Sequence, residues 1–528
     1  MSGPGIGQAG PGAGGSGGSD PSGGSGGLPG RAPALLVRGG CVYTADADAR
    51  MLPSGSVLAV GGTIAAVGPV DEVDAAVRAL PEEVRAGLRT VDGTRHLVLP
   101  GFVNAHWHEM FALRLPFKGA LRDPRDADDE PGVMALGGDV RKISAMFDTF
   151  QDVADGLTPG EAEAIARYSL WTQLRSGTTA LGDVGSFNRP EALAAAARAV
   201  GIRCSVSHWT GDAVCAPGEG RHRRTRDTDA VLARLEDLLS DCAADPSGLV
   251  RAQVSASYVT NVSDALGEGL GKLARAYDVP FATHVGALRG EAEVMRAGYG
   301  TTPVRRLAEL GLLDERLVAV HCAFLDEHER FLLLRAGAHV SHSPAKYGPT
   351  GESTLSETRA IPELRRAGLD VSLSTDGGAL PVGGMAEAMR AAWHGYTELY
   401  ADNTALLPSD ALAMATRIAA RALRREDIGA LAPGLQADLV LVPAGDWRYL
   451  LNPRPLEGFL NLGGSADVTT VIVAGRVLVE DGRTVHLDEE QLTADYLEAL
   501  ASFSTRRLGI APAAVAGVLA AHGRGAHA

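Results

Sequence analysis

The sequence predicts an α/β fold: a closed (β/α)8 TIM-like barrel that carries a small β-sandwich formed by the N- and C-terminal flanks. Two observations predict it. Short apolar, β-rich runs alternate with helical patterns through the middle of the chain, which is the order of elements in such a barrel. Further β-rich segments precede and follow this region, which indicates one small domain assembled from both ends of the chain. No Gly-x-Gly-x-x-Gly turn follows an early strand, so a doubly wound open sheet is disfavoured.

The chain begins with a segment of unusual composition. Residues 1–32 consist mostly of Gly, Ser, Pro and Ala, without the charged start and apolar core of a signal peptide. Such a segment buries too little apolar surface to fold, so we expect a disordered tail. Residues 33–97 follow as the first part of the sandwich, a small all-β module. Its strands are predicted at 35–38, 56–60 and 63–67, with glycine pairs at the turns.

Residues 98–430 form the predicted catalytic barrel. Its helical patterns include 161–175, 229–239, 266–277 and 327–335. Its eight strands are predicted at 97–103, 178–182, 202–207, 250–255, 279–283, 317–320, 338–341 and 369–374. In a barrel of this kind the reactive groups lie at the C-terminal ends of the strands, so those ends are where we look for the site.

The remaining residues complete the flanks. Residues 431–486 are predicted to form the second part of the sandwich, with strands at 437–442 and 468–473. Residues 487–528 are predicted to form a C-terminal helix, amphipathic over 489–504, and a short polar tail.

Histidine and aspartate side chains follow the ends of several predicted strands. His106 and His108 lie two residues apart in an extended segment, so both point to the same side. His284, His321 and Asp376 follow strands five, six and eight. Neutral imidazole and carboxylate are ligands that zinc and similar divalent ions prefer. A single histidine at a strand end means little, but this set at one end of the barrel predicts a metal site.

Four segments carry a resemblance to a known family. Pro100-Gly101-Phe102-Val103-Asn104-Ala105-His106-Trp107-His108, Ser176-Gly177-Thr178-Thr179, Thr375-Asp376-Gly377 and Pro433-Gly434-Leu435-Gln436-Ala437-Asp438-Leu439-Val440 occur in the family's order. They resemble the amidohydrolase superfamily, in particular its branch of chlorotriazine hydrolases, S-adenosylhomocysteine deaminases and guanine deaminases. The resemblance extends from Ala34 to about Arg483.

The resemblance implies a hydrolase acting on carbon–nitrogen bonds other than peptide bonds. The substrate would be a small, nitrogen-containing and cyclic molecule whose C–N or C–halogen bond is cleaved through a metal-bound hydroxide. His106, His108, His284 and Asp376 would bind one divalent ion, zinc or else iron. Asp376 would also accept the proton of the attacking water, and His321 would stabilise the developing negative charge. Like many relatives, the chain would form a homodimer.

Several further residues are candidates for binding the substrate. His342 matches a strand-seven histidine near the pocket of the family, while His208 and Tyr258 follow strands three and four. Arg223 belongs to a basic run, 221–226, which could capture an anionic group through bidentate guanidinium contacts. The alternative, a solvated run of charges, is favoured for this segment.

Two positions depart from the family pattern. Ala287 stands where related deaminases carry a glutamate that passes a proton to the leaving amine, and Lys346-Tyr347 replaces a common Ser-Asn pair. Three explanations stay open. Another acid substitutes, with Glu109, Glu291 and Lys346 as candidates; or the leaving group needs no acid, as with halide; or the reaction is not deamination.

Two other functions remain as alternatives. A cyclic-amide or imidazolone-type hydrolase would have the same fold, but its binuclear members carry a bridging lysine on strand four, and residues 251–258 contain none. A catalytically silent barrel subunit would explain the missing glutamate. It would not explain why a full set of buried polar ligands is kept.

Composition narrows the class of partner to small molecules. The net charge of −15 argues against nucleic acids and anionic membranes as partners, because both attract basic surfaces. No apolar run is long enough to span a bilayer. The five cysteines are dispersed and lack the spacing of a zinc or redox pair, which indicates reduced thiols and a cytoplasmic protein.

Overall fold

The computed structural model describes residues 28, 30–109, 139–185, 189–350, 354–377, 383–450 and 453–523. The predicted disordered tail, 1–32, falls almost entirely outside these residues, as does the end of the chain at 524–528. No helix among the described residues is long and apolar enough to cross a membrane.

Mixed α/β structure is confirmed. The strands are β1 (Ala34–Tyr43), β2 (Met51–Val60), β3 (Thr63–Pro69), β4 (Leu88–Asp92), β5 (His96–Pro100), β6 (Phe102–His108), β7 (Thr178–Asp183), β8 (Arg203–Val206), β9 (Ala213–Val214), β10 (Arg223–Arg224), β11 (Val250–Ala252), β12 (Val254–Ala256), β13 (Phe281–Val285), β14 (Leu317–His321), β15 (His339–His342), β16 (Val371–Leu373), β17 (Asp376–Gly377), β18 (Leu439–Pro443), β19 (Thr470–Val473), β20 (Arg476–Glu480) and β21 (Arg483–Thr484).

Helices separate most of the strands. They are α1 (Val70–Arg78), α2 (Glu82–Ala86), α3 (Val140–Asp155), α4 (Pro159–Arg175), α5 (Pro190–Val200), α6 (Thr228–Ala243), α7 (Asp264–Ala276), α8 (Glu291–Tyr299), α9 (Pro303–Glu309), α10 (Glu327–Ala336), α11 (Pro344–Thr350), α12 (Thr354–Thr358), α13 (Ala360–Arg366), α14 (Met385–Tyr400), α15 (Pro408–Met414), α16 (Arg417–Ala422), α17 (Pro455–Leu462), α18 (Glu489–Leu508) and α19 (Pro512–Gly523).

The two flanks of the chain meet in one nine-stranded sheet. Its order is β21-β20-β19-β18-β5-β1-β2-β3, with β4 paired to β1. The flanks join where β18 runs antiparallel to β5, with Leu439 opposite Pro100 and Val442 opposite Leu97. The expectation that the N-terminal flank is purely β is wrong, because α1 and α2 lie between β3 and β4. α1 packs there through Val73, which is buried against Leu36 and Leu58.

The middle of the chain forms two parallel five-stranded sheets. Their orders are β11-β8-β7-β6-β17 and β12-β13-β14-β15-β16. A single residue, Gln253, separates β11 from β12, and Ser374 and Thr375 separate β16 from β17. The edge strands of one sheet, β11 and β17, are therefore adjacent in sequence to the edge strands of the other, β12 and β16.

One predicted strand proves to be two. The apolar run 97–103 was expected to be a single barrel strand, but Gly101 divides it into β5 of the flank sheet and β6 of the parallel sheet. A side chain at Gly101 would collide with Thr179, so the glycine permits the close approach that this change of sheet requires. The run is apolar throughout because residues 97–103 are buried in both sheets.

The parallel register brings the candidate residues to one edge. Asp376 lies opposite Trp107 and Gly377 opposite His108 in the β17/β6 pair. Val285 lies opposite His321 in the β13/β14 pair. The C-terminal ends of these strands thus carry the histidines and the aspartate in adjacent positions.

The C-terminal segment contains more structure than expected. α18 packs on α4, where Phe503 and Leu500 meet Ile165 and Ala162. The rings of Tyr168 and Tyr496 stack with centroids 3.9 Å apart. The expectation of a short polar tail after residue 504 is wrong over 512–523, because an apolar helix, α19, occupies these residues.

Candidate functional site

Three buried histidines converge at the ends of β6 and β13. Nε2 of His106 lies 2.8 Å from Nε2 of His108, which in turn lies 3.0 Å from Nε2 of His284. Each of the three residues is at most 4% exposed. His106 and His108 both reach this point because they are two residues apart on one strand, as the sequence predicts.

Backbone carbonyls orient two of the imidazoles. Nδ1 of His108 lies 2.8 Å from the carbonyl of Gly185, and Nδ1 of His284 lies 2.5 Å from the carbonyl of Ser257. A carbonyl only accepts, so each Nδ1 carries the proton and donates it. Burial lowers the pKa of His284 to about 3 and also lowers the pKa of His108, so both rings are neutral near pH 7.

The arrangement of the neutral imidazoles favours a bound cation. With Nδ1 protonated, Nε2 of His108 and Nε2 of His284 each present a lone pair. Two lone pairs 3.0 Å apart repel each other in a buried site. A divalent cation removes this repulsion, and neutral imidazole held by a carbonyl through its other nitrogen is the usual form of a metal-binding histidine. The residues present therefore fit a metal ion.

Asp376 completes the cluster from β17. Its Oδ1 lies 3.9 Å from Nε2 of both His106 and His108, and accepts a hydrogen bond from its neighbour Gly377 N at 2.8 Å. Its Oδ2 lies 2.5 Å from Nζ of Lys346. Burial by itself raises the pKa of Asp376, but the Lys346 ammonium and the histidines outweigh burial and hold it well below its usual value. The carboxylate is therefore ionised.

His321 lies on the other side of Asp376. Its Nε2 is 3.6 Å from Oδ2 of Asp376, and its Nδ1 is 3.0 Å from the hydroxyl of Tyr347. Both His321 (φ 76°) and Asp376 (φ 57°) adopt left-handed backbone conformations. Such conformations cost about 1–3 kcal/mol each outside glycine and cluster at functional sites, where surrounding structure holds them.

His342 is a buried imidazole without a hydrogen bond. It is fully buried at the end of β15, and neither ring nitrogen has a partner among the described residues. Its ring centroid lies 5.5 Å from that of Tyr347 and 5.9 Å from that of Tyr396. Burial lowers its pKa to about 3, so the ring is neutral.

The position of the absent glutamate is apolar. Ala287 packs in a cluster with Phe147, Trp209 and Tyr258. The ring of Tyr258 stacks on His284 with centroids 5.7 Å apart. Aromatic rings therefore cover one side of the histidine cluster.

Glu291 is the acidic side chain nearest to Ala287 along the chain. Its carboxylate accepts hydrogen bonds at 2.9 Å from the backbone N–H groups of Gly286 and Ala287, and at 2.8 Å from the hydroxyl of Tyr258. Burial raises the pKa of Glu291 to about 7, and these donors oppose the rise. The bonds hold the loop after β13 and fix the position of Tyr258.

Two predicted substrate residues have other neighbours. The His208 ring is mostly buried near Arg234, and burial, followed by that charge, lowers its pKa to about 4. The next residue, Trp209, contacts His108, with ring centroids 5.7 Å apart. Arg223 is exposed and pairs with Glu219 at 2.9 Å, whereas Arg226 of the same run is only 18% exposed and pairs with Asp148.

Several groups at the histidine cluster have no signal in the sequence. The carbonyls of Gly185 and Ser257 orient the histidines, but backbone groups leave no signal in residue type. Phe147, on α3, lies 6.0 Å from His284 between ring centroids, and its position on a helix far along the chain from His284 gives no sign of this contact. The contact between Lys346 and Asp376 joins a helix, α11, to a strand, β17, and no pattern in the sequence pairs the two elements.

A family profile and two curated relatives match most of the chain. The profile of the Amidohydrolase family matches residues 97–478. The chain is 30% identical to a 5-methylthioadenosine/S-adenosylhomocysteine deaminase of Pelotomaculum thermopropionicum over 474 residues, 87% of this chain and 96% of the relative. It is 28% identical to a 5'-deoxyadenosine deaminase of Methanopyrus kandleri, over 77% of this chain and 86% of the relative.

Two solved structures extend the comparison. An adenosine deaminase from Xanthomonas campestris with bound zinc is similar with a TM-score of 0.74 and 27% identity, covering 89% of this chain and 98% of that one. An atrazine chlorohydrolase from Arthrobacter aurescens TC1 complexed with zinc is similar with a TM-score of 0.73 and 26% identity, covering 88% of this chain and 100% of that one.

Proposed function

The chain belongs to the amidohydrolase family, and from this premise we propose that it hydrolyses an amino or halogen substituent on a small nitrogen heterocycle. It is a hydrolase that acts on carbon–nitrogen bonds other than peptide bonds. One observation carries the proposal: the Nε2 atoms of His108 and His284 lie 3.0 Å apart in a buried site beside an ionised aspartate. Such a cluster suits a metal-dependent hydrolase and serves no evident purpose in a silent subunit.

We propose that the two parallel sheets form one closed eight-stranded barrel. The shared breaks at Gln253 and at 374–375 support closure, because each sheet begins where the other ends. The nine-stranded sheet would be the sandwich. Adjacent residues of β1 belong to different apolar clusters, Val37 to one and Leu36 to the other, which supports apolar packing on both faces of this sheet. The division expected from the sequence places the sandwich at 33–97 and 431–486, the barrel at 98–430 and the C-terminal part at 487–528. With β5 whole in the sandwich, the barrel would begin three residues later, at Gly101.

His106, His108, His284 and Asp376 would hold one divalent ion, with zinc favoured and iron the alternative. Three imidazoles and one carboxylate form a donor set that zinc accepts. The ion, when bound, would lower the pKa of water so that hydroxide is available near pH 7. Zinc in the similar adenosine deaminase and chlorohydrolase structures supports this choice.

The remaining residues would move protons and bind charge. Asp376 would accept the proton of the attacking water at Oδ2, the oxygen that faces His321 and Lys346. His321, held by the Tyr347 hydroxyl, would donate a hydrogen bond from Nε2 to the negative charge that develops on the substrate. Lys346 would supply a second hydrogen-bond donor on the same side, and this one is positively charged.

The substrate would be planar and small. Tyr258, Trp209 and Phe147 offer aromatic faces on which a purine or triazine ring can stack. His342 would contact a polar group of the substrate, since both its nitrogens lack a partner in the described part of the chain. His208 and Arg223 are proposed to lie further out along the pocket.

Ala287 supports a second candidate reaction, hydrolysis of a carbon–halogen bond. An amine leaves only after it gains a proton, whereas chloride leaves without one. The side chains packed against Ala287 are largely aromatic, and the nearby Glu291 carboxylate is held by three hydrogen bonds from the loop backbone and from Tyr258. A leaving group that needs no acid therefore fits this corner of the site.

The metal-loaded chain should be assayed with two sets of compounds. The first set tests release of ammonia and contains adenosine, 5'-deoxyadenosine, 5-methylthioadenosine and S-adenosylhomocysteine. The second set contains amino- and chloro-substituted triazines, and it compares the rate of ammonia release with the rate of chloride release. We expect turnover in at least one set and its loss, by 1,000-fold or more, in Asp376→Asn, since general base catalysis and metal binding both fail. Arg335→Gln, an exposed change on α10, is the control. No turnover in either set would contradict the proposed reaction, and full activity in Asp376→Asn would contradict the role of Asp376.

A further inference from the structure

A second cleft lies at the opposite end of the parallel strands from the histidines. It has a volume of about 530 Å3. It is lined by Arg203 at the start of β8, Val250 at the start of β11 and Pro280 just before β13. Gln436 and Ala474 of the C-terminal flank close its other side. We call this space the underside cleft.

Arginines dominate the underside cleft. Five of its lining residues are arginine and three are aspartate: Arg31, Arg203, Arg251, Arg424, Arg425, Asp245, Asp278 and Asp427. This excess of positive charge is unusual in a chain whose net charge is −15. A concave surface with one sign of charge concentrates ions of the opposite sign.

The aspartates are already committed to ion pairs. Asp427 binds Arg425 through two hydrogen bonds, and Asp278 binds Arg424 at 2.8 Å. Asp245 pairs with Arg198, which lies outside the lining, at 2.7 Å. Their charges are therefore largely neutralised before any ligand enters.

Arg203 is also fully engaged. Its guanidinium binds both carboxylate oxygens of Asp438, at 2.8 and 3.0 Å, and donates to the carbonyl of Gly248 at 3.2 Å. This buried pair joins β8 to the C-terminal flank. The pair forms one wall of the cleft, and the Arg203 guanidinium still contributes positive potential at close range.

Two arginines of the cleft have only backbone carbonyls as partners. Within the described ranges, Arg31 donates to the carbonyl of Gly61 at 2.7 Å and Arg251 to that of Arg424 at 3.4 Å, and neither has a carboxylate within ion-pair distance. Burial, followed by the charges of Arg425 and Arg203, lowers the pKa of Arg251. Burial, followed by the charges of Arg476 and Arg203, also lowers the pKa of Arg31. Both arginines therefore face the Arg203 cation, and an anion held beside it would reduce this repulsion.

We propose that the underside cleft binds a small oxyanion of the phosphate class, with Arg31 and Arg251 as its anchors. A guanidinium presents paired N–H donors that match two oxygens of a phosphate, and two such groups suit a ligand with at least two negative charges. The ligand is an inorganic phosphate, a pyrophosphate or the phosphate of a small metabolite. Bound there, it would bridge the barrel, which carries Arg251, and the N-terminal flank, which carries Arg31.

Titration calorimetry with inorganic phosphate and with pyrophosphate, at fixed ionic strength, tests the proposal on the full, metal-loaded chain. We expect saturable binding that weakens at least tenfold in Arg251→Gln and in Arg31→Gln. Arg335→Gln removes an exposed arginine elsewhere and should leave the affinity unchanged. Arg31 is exposed, so its variant decides the outcome if Arg251→Gln fails to fold.

Three results would overturn the proposal. The first is no binding of either anion by the wild-type chain at millimolar concentration. The second is an equal loss of affinity in Arg335→Gln, which would indicate nonspecific attraction. The third is a loss in Asp376→Asn but not in the cleft variants, which would assign the anion to the metal centre. None of these results bears on whether the histidine cluster catalyses hydrolysis.

Discussion

Ala287 is the residue that most directly separates the two candidate reactions. Its methyl group faces an aromatic cluster, so no proton reaches a leaving amine from this position. We predict that Ala287→Glu raises the ratio of ammonia release to chloride release at least tenfold, because it restores a carboxyl group beside the site. Ala287→Gln has the same size without an exchangeable acid proton and is the matched control. Equal ratios in the two variants would contradict a proton-donor role for this position.

The neutral state of His342 has a consequence for stability in acid. The pKa of this imidazole is about 3 in the folded chain and about 6.5 when unfolded. Below pH 6.5 the unfolded chain gains a proton that the folded chain excludes, so stability is present above pH 6.5 and falls as the pH drops towards 3. The group contributes a slope of about 1.4 kcal/mol per pH unit in this window.

We therefore predict a shallower acid slope for His342→Leu. The free energy of unfolding, measured by urea titration between pH 6.5 and 4.5, should depend less on pH than in the wild-type chain. His328→Leu, which removes an exposed imidazole on α10, should retain the wild-type slope. An unchanged slope in His342→Leu would mean that His342 is protonated or has a partner in the folded protein.

At the scale of elements, α18 is a structural part of the domain. Phe503 is 1% exposed and packs with Leu157 and Ile165 of the segment around α4. Phe503→Ala should lower the free energy of unfolding by about 3–5 kcal/mol, because it removes buried surface and leaves a cavity. Phe331→Ala, at a side chain that is 52% exposed, should cost far less. Equal effects in urea unfolding would show that α18 is not docked as described.

The success of sequence prediction differs between elements for physical reasons. The alternation of two residues in an extended strand is enough to place His106 and His108 together, and the parallel register explains why His284, His321 and Asp376 join them. The division at Gly101 was not predicted, because a continuous apolar run carries no mark of a change of sheet. α1 and α2 were missed in the same way, since short helices between strands leave a weak periodic signal.

Over the whole molecule, the fold class and the family could be predicted from the order of strands and helices and from the sequence motifs. The contacts between charged side chains could not. The proximity of Lys346 to Asp376, and of Tyr347 to His321, depends on how α11 sits above two strands. The underside cleft collects five arginines, at positions 31, 203, 251, 424 and 425, which no motif links. Such sites become apparent only when distant segments are folded against each other.

The central claim is that the histidine cluster binds a metal ion on which activity depends. Elemental analysis of the purified chain by plasma mass spectrometry tests it most directly, with His108→Ala and the exposed control His328→Ala measured alongside. We predict about one zinc or iron per chain in the wild type and in His328→Ala, and less than a tenth of that in His108→Ala. A chelator should remove both metal and activity, and added zinc or iron should restore both. A wild-type chain that turns over substrate without stoichiometric metal, or a His108→Ala variant that keeps its metal, would contradict the account.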